Sequence, residues 1–122
     1  MGRKRILIVD DEASVAFFLR EGLAELGDRY EVCSTGSAEL ALEQIGRRPF
    51  DLLVVDFRLP GLNGLDLLRQ VRNVSPGTKT ILITAYGTAE IEQEAYRLRA
   101  CRYLDKPFHI EDLMRAVQSA LS

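Results

Sequence analysis

The chain has 122 residues, 47% apolar and 28% charged, and 16 Lys and Arg against 18 Asp and Glu leave a formal net charge of -2. This length and balance suit one domain, expected to span 1–122, with a core that needs no disulfide or metal staple, and they exclude a disordered chain and direct nucleic-acid binding driven by a basic surface. The longest apolar run, Val15–Leu19, falls far short of the roughly 20 residues of a membrane-spanning helix, and the run after the basic start breaks too soon at Asp10 and Asp11 for a signal peptide, so no membrane contact and a cytoplasmic location are expected.

In chain order, RILIVD at 5–10 predicts a strand, and Val15, Phe18, Leu19, Leu23 and Leu26 follow at helical spacing. YEVCS at 30–34 predicts the second strand, and Ala38, Ala41, Leu42 and Ile45 mark the second helix. DLLVVD at 51–56 precedes a helix striped by Leu65, Leu68 and Val71. TKTILIT at 78–84 is the fourth strand. The helix after it, around 88–98, is the weakest, because Ile91, Ala95 and Leu98 form a thin stripe among Glu90, Glu92, Glu94 and Arg97, and it is expected to be marginal or mobile. CRYLD at 101–105 is the fifth strand, and Ile110, Leu113, Met114, Val117 and Leu121 complete the last helix.

Strict alternation with short loops predicts an α/β fold whose parallel sheet is covered on both faces, because every crossover must return the chain in the same direction. ILIV, LLVV and ILI lack polar alternation and read as central strands, while the second and fifth strands read as edges. A flavodoxin-like (βα)5 three-layer sandwich with strand order 2-1-3-4-5 satisfies the pattern. Cys33 and Cys101 then lie on opposite edges, which excludes a disulfide between them, and each is expected to be a buried free thiol.

Ligands of such sheets bind beyond the carboxyl ends of the strands. Asp10 and Asp11 end the first strand, Asp56 the third and Thr84 the fourth, and the fifth runs into Lys106. Carboxylates about 4 Å apart repel by about 4 kcal/mol at an effective dielectric near 20. A divalent cation relieves that repulsion, and an oxygen-only ligand set suits magnesium. Each acid taken alone has a plainer explanation: Asp10 and Asp11 as helix caps, and Asp56 as a turn residue before Pro60 and Gly61. Acids at two strand ends facing a hydroxyl and an amine at two more favour a site.

The motifs ILIVDDE, LLVVDFRLPGLNG, ILITAYG and YLDKPF, in this order and spacing, closely resemble the receiver domain of two-component response regulators over about residues 4–121. The resemblance implies that Asp56 is the phosphoacceptor for a sensor histidine kinase or histidine phosphotransfer protein. It implies further that Asp10, Asp11, Asp56 and the backbone carbonyl of Arg58 hold Mg²⁺, and that Lys106 and Thr84 contact the phosphoryl group. In the family the threonine movement accompanies an inward turn of an aromatic, here Tyr103, which alters a face made by the fourth helix, fifth strand and fifth helix for an output partner or a homodimer. The Lys106–Pro107 bond is commonly cis in the family. Without the resemblance Tyr103 reads as a strand aromatic and Thr84 as an ordinary strand-end residue, and His109 reads as a surface or capping residue rather than a phosphodonor.

Three departures stand out. Arg99 and Ala100 replace the usual Gly-Ala before the fifth strand, which points to a reshaped turn. Arg58 and Tyr86 occupy positions that in the family influence phosphoryl lifetime, and their bulk is expected to hinder attacking water. Arg97, Arg99 and Arg102 cluster near the output face, as a solvated rim or as a surface for an acidic partner.

Three other functions fit the sequence less well. A magnesium-dependent phosphotransferase or phosphatase of the haloacid dehalogenase type would place a second Asp where Arg58 stands. A flavodoxin would carry a Ser, Thr and Gly-rich loop where Asp10, Asp11 and Glu12 stand. A receiver-like binding module without phosphorylation would lack residues that are all present here.

Overall fold

The computed structural model describes residues 2–122. Strands β1 (Lys4–Val9), β2 (Tyr30–Thr35), β3 (Leu52–Asp56), β4 (Lys79–Thr84) and β5 (Arg102–Asp105) alternate with helices α1 (Ala13–Ala24), α2 (Ala38–Arg47), α3 (Gly64–Val74), α4 (Ala89–Arg97) and α5 (Ile110–Leu121). All pairings are parallel and the spatial order is β2-β1-β3-β4-β5, as the strand pattern predicts.

The two-residue period of the strands divides the core in two. Leu7, Val9, Leu53, Val55 and Leu82 face α2, α3 and α4, where they meet Ala41, Ile45, Leu67, Leu68, Val71 and Ala95. Ile6, Ile8, Leu52, Val54, Ile81 and Ile83 face α1 and α5, where they meet Leu19, Leu23, Leu113 and Val117. Full burial of each such aliphatic side chain contributes about 1.5–3 kcal/mol. Central strands β1, β3 and β4 are therefore apolar on both faces, while edge strand β2 is only half-buried along its length.

The thin stripe predicted for the fourth helix is enough to form it. Thr88 caps α4 by accepting the Ile91 N–H at 3.2 Å, and Ala95 is fully buried beneath it. The turn after α4 keeps a left-handed residue, with Arg99 at φ 69°, so Arg takes up a conformation that glycine adopts at less steric cost. The Ala100 N–H closes the helix on the Ala95 carbonyl at 2.9 Å.

Two expectations about side-chain burial are corrected. Cys101 is exposed and Cys33 only half-buried. Strand β5 begins one residue later than the sequence suggests, at a sheet edge exposed at both its ends, so Cys101 lies outside the covered part. Phe18, placed on the inward stripe of the first helix, is 56% exposed; Leu19 and Leu23 take the buried positions, and Phe17 is exposed beside it. Among the described residues no helix is long and apolar enough to cross a membrane.

Candidate functional site

The polar residues gather at the carboxyl end of the sheet, around the junction of β1 and β3. Asp10 follows β1, and its backbone N–H donates to the Thr35 carbonyl at 3.0 Å, which continues the β1–β2 ladder and fixes the carboxyl group over the sheet end. One oxygen, Oδ1, accepts the Glu12 N–H at 2.9 Å. The other, Oδ2, is buried with no hydrogen-bond partner. If helix capping were the whole role of Asp10, that oxygen would have no reason to be buried and unmet, since an orphaned buried acceptor costs about 1–3 kcal/mol. The N-cap of α1 is in fact Glu12.

Asp56 ends β3, with its side chain buried, and Asp11 is exposed at the rim. One carboxylate oxygen from each of Asp10, Asp11 and Asp56 lies within 4.8 Å of the others. The Lys106 Nζ lies 3.4 Å from Asp56 Oδ2 and 3.9 Å from Asp10 Oδ2. Burial pushes the Asp10 carboxyl up from 3.8 to about 6, against the lowering effect of its Glu12 hydrogen bond, with the Asp56 charge adding to the rise. Burial also raises Asp56, and the Lys106 charge and hydrogen bond hold that rise back. A single ammonium group thus offsets two buried carboxylates only in part. Three oxygen donors with one orphaned and buried fit a hard divalent cation.

The backbone around Asp56 depends on a close approach. A Cβ on Gly64, the first residue of α3, would lie 2.8 Å from the Asp56 carbonyl oxygen and 2.8 Å from Phe57 Cα, so glycine lets the helix start pack against the end of β3. The Gly64 N–H donates to the Phe57 carbonyl at 2.8 Å, and a reciprocal pair of bonds between Asn63 and Asp66 caps the helix. The strand and helix periodicity does not point to Gly64. Its signal was a glycine placed directly after the Asn63 cap, where helix propensity alone disfavours it.

Thr84 is buried one residue beyond Ile83, the residue paired with Asp56 across β3 and β4. Its hydroxyl oxygen accepts the Tyr86 N–H at 3.2 Å, and its carbonyl accepts the Lys106 N–H at 2.8 Å, which ties the lysine to the end of β4. The Lys106–Pro107 peptide is cis. The Arg58 guanidinium lies 4.8 Å from the centre of the Tyr86 ring. Tyr103 is buried rather than on the surface. Burial first, and then the neighbouring Asp105 carboxylate, push its phenol up to about 12. His109 takes the capping position expected of it, at the start of α5, where its N–H donates to Asp112 at 3.3 Å. Arg97 pairs with Glu94.

Comparison with known proteins agrees with this arrangement. Residues 6–118 match the family model described as the response regulator receiver domain. The chain is 30% identical to sporulation initiation phosphotransferase F of Bacillus subtilis over 121 residues, covering 99% of this chain and 96% of that protein. It is 34% identical to the transcriptional regulatory protein CusR of Escherichia coli, but spans only about half (51%) of that relative's length. Among solved structures, a response regulator receiver domain protein from Methanospirillum hungatei superposes with a TM-score of 0.88 at 30% identity, covering 98% of this chain and 94% of that one.

Proposed function

The chain belongs to the response regulator receiver domain family, whose members are phosphorylated on aspartate, and from that premise we propose that Asp56 is the phosphoacceptor of a signalling switch occupying residues 1–122. The observation that carries this reading is the convergence of Asp10, Asp11 and Lys106 on the buried Asp56 carboxylate. An oxygen of Asp56 attacks the phosphorus of a phosphohistidine on a sensor kinase or histidine phosphotransfer protein. The P–N bond breaks, its electron pair and a proton stay with the imidazole, and an acyl phosphate forms on Asp56. Asp10, Asp11, Asp56 and the Arg58 backbone carbonyl would hold Mg²⁺, which when bound neutralises charge on the transferred group. Lys106 supplies a point charge to a phosphoryl oxygen. The Thr84 hydroxyl, now accepting from Tyr86, turns to donate to another.

The output in this reading is a change at the face of α4, β5 and α5, through Thr84 and Tyr103, toward a partner or a second copy of the chain; the domain contacts neither nucleic acid nor membrane, and works in the cytoplasm, where Cys33 and Cys101 stay reduced. Incubating the protein with Mg²⁺ and acetyl phosphate and measuring its intact mass tests the reading. One phosphoryl addition is expected, absent from Asp56→Ala and blocked by chelation; addition to that variant, or none to the wild type, would remove Asp56 from the role.

The Arg58 and Tyr86 side chains stack together two residues beyond Asp56 and Thr84, and Tyr86 is 69% exposed. Such a cover hinders water from reaching the acyl phosphate. Replacing the pair with Arg58→Asn and Tyr86→Glu is expected to hasten decay of the acyl phosphate by roughly tenfold, followed as loss of the added mass after the donor is removed. An unchanged decay rate would show that the stacked pair has no shielding role.

A further inference from the structure

We infer that Gly87 positions the switch aromatic: the space left by its missing side chain holds the Tyr103 hydroxyl inside, so that the ring rests inward before any phosphoryl group arrives. This deepens the switch reading of Tyr103 above and rests on it. A Cβ built on Gly87 would lie 1.5 Å from Tyr103 Oη and 2.8 Å from both Tyr103 Cζ and Asp105 Oδ1. No neighbour could give way far enough to relieve a 1.5 Å contact while the ring stays in place. The backbone does not require glycine at this position. Gly27 and Gly61 are the glycines with positive φ among the described residues, and Gly87 is not one of them. Space is therefore what Gly87 provides.

The same geometry separates the ring from the threonine. Tyr103 is inward, 8% exposed, while the Thr84 hydroxyl is still held by the Tyr86 N–H at 3.2 Å. The inward ring thus does not wait for the Thr84 hydroxyl to leave the Tyr86 N–H. Asp105, paired with Thr84 across β4 and β5, brings its Oδ1 within 2.8 Å of the same Cβ position. The residue at position 87 therefore sets how readily the ring occupies this space.

Four proteins test this by NMR without metal or phosphodonor: wild type, Gly87→Ala, Gly87→Ala with Tyr103→Phe, and Gly77→Ala as a control whose added Cβ meets nothing within 4 Å. The readout is broadening of the residue 103 ring signals by a soluble paramagnetic agent, which reports whether the ring is exposed. It is expected to be weak in the wild type and in Gly77→Ala, strong in Gly87→Ala, and reduced again in the double variant, because without the oxygen the ring needs only a small retreat from the 2.8 Å that would separate Cζ from the added Cβ. If Gly87→Ala fails to fold, recovery of folding by Tyr103→Phe is the expected result in its place. Ring signals as protected in Gly87→Ala as in the wild type, or a double variant that behaves like the single one, would overturn the inference. Because no phosphodonor is present, a failure of Asp56 to be phosphorylated would count against the proposed function and leave the ring measurement standing.

Discussion

Replacing Asp10 with Asn is expected to remove Mg²⁺ binding and, in the metal-free protein at about pH 8, to raise stability by about 2 kcal/mol. Both effects trace to one oxygen. Asp10 Oδ2 is buried without a hydrogen bond, and the carboxyl group is raised from 3.8 to about 6, chiefly by burial. A folded-state value above the unfolded one means that the folded protein binds the extra proton. Its stabilising effect is complete below about pH 4 and is lost as the pH rises through about 6. Above that window the ionised group costs the metal-free fold about 3 kcal/mol. Asparagine keeps the bond from the Glu12 N–H through its own Oδ1 and puts an uncharged amide nitrogen where the orphaned oxygen lay, so most of that cost disappears. The charge that a cation needs disappears with it. Urea unfolding and Mg²⁺ titration on the two proteins check both halves. The stability gain should shrink toward zero at about pH 4, and a gain independent of pH would point to packing rather than ionisation.

Lys106→Met is expected to act in the opposite direction on stability while also disabling the site. The Lys106 ammonium is the positive group beside two buried carboxylates, 3.4 Å from Asp56 and 3.9 Å from Asp10. Removing one partner of such a cluster leaves charge uncompensated. Because the lysine side chain is 22% exposed and partly screened, a loss of about 1–2 kcal/mol is expected rather than the larger value of a dry pair. Methionine preserves most of the stem volume, so the loss reports charge. Asp56, already raised by burial, is pushed up further when the lysine is gone, because the opposing charge and hydrogen bond that hold the rise back are lost. Loss of a preorganised charge on the transferred group is expected to slow phosphorylation by acetyl phosphate about a hundredfold. Progress curves by intact mass measure the rate, and a rate within about twofold of the wild type would show that Lys106 serves the fold alone.

Much of the frame and the acidic cluster was legible in the chain itself. Val54 and its neighbours in the central strands are apolar at consecutive positions, which only a sheet covered on both faces permits. Once the strand order follows, Asp10 and Asp56 must meet, because β1 and β3 are adjacent. What remained hidden depends on which side chain fills a given space. Phe17 and Phe18 compete for one turn of α1, and the positions of Leu19 and Leu23 against α5 leave both aromatics outside. Cys101 looked like part of a buried strand because the local pattern carries no information about where an edge strand loses its cover. Gly64 and Gly87 are close-approach residues, and the atoms they admit, from Asp56, Phe57 and Leu82 in one case and from Tyr103 and Asp105 in the other, are brought there only by the folded sheet. The Arg58 and Tyr86 contact likewise joins two loops, after β3 and after β4, that spacing along the chain does not relate.

The most direct test of the central claim is to locate the phosphoryl group. The protein is phosphorylated by acetyl phosphate with Mg²⁺, the acyl phosphate is reduced with borohydride to leave a stable alcohol, and the altered residue is mapped by peptide mass spectrometry. Reduction at Asp56, with Asp10 and Asp11 unaltered, is the expected result; an altered residue other than Asp56, or the same product from Asp56→Ala, would contradict the claim.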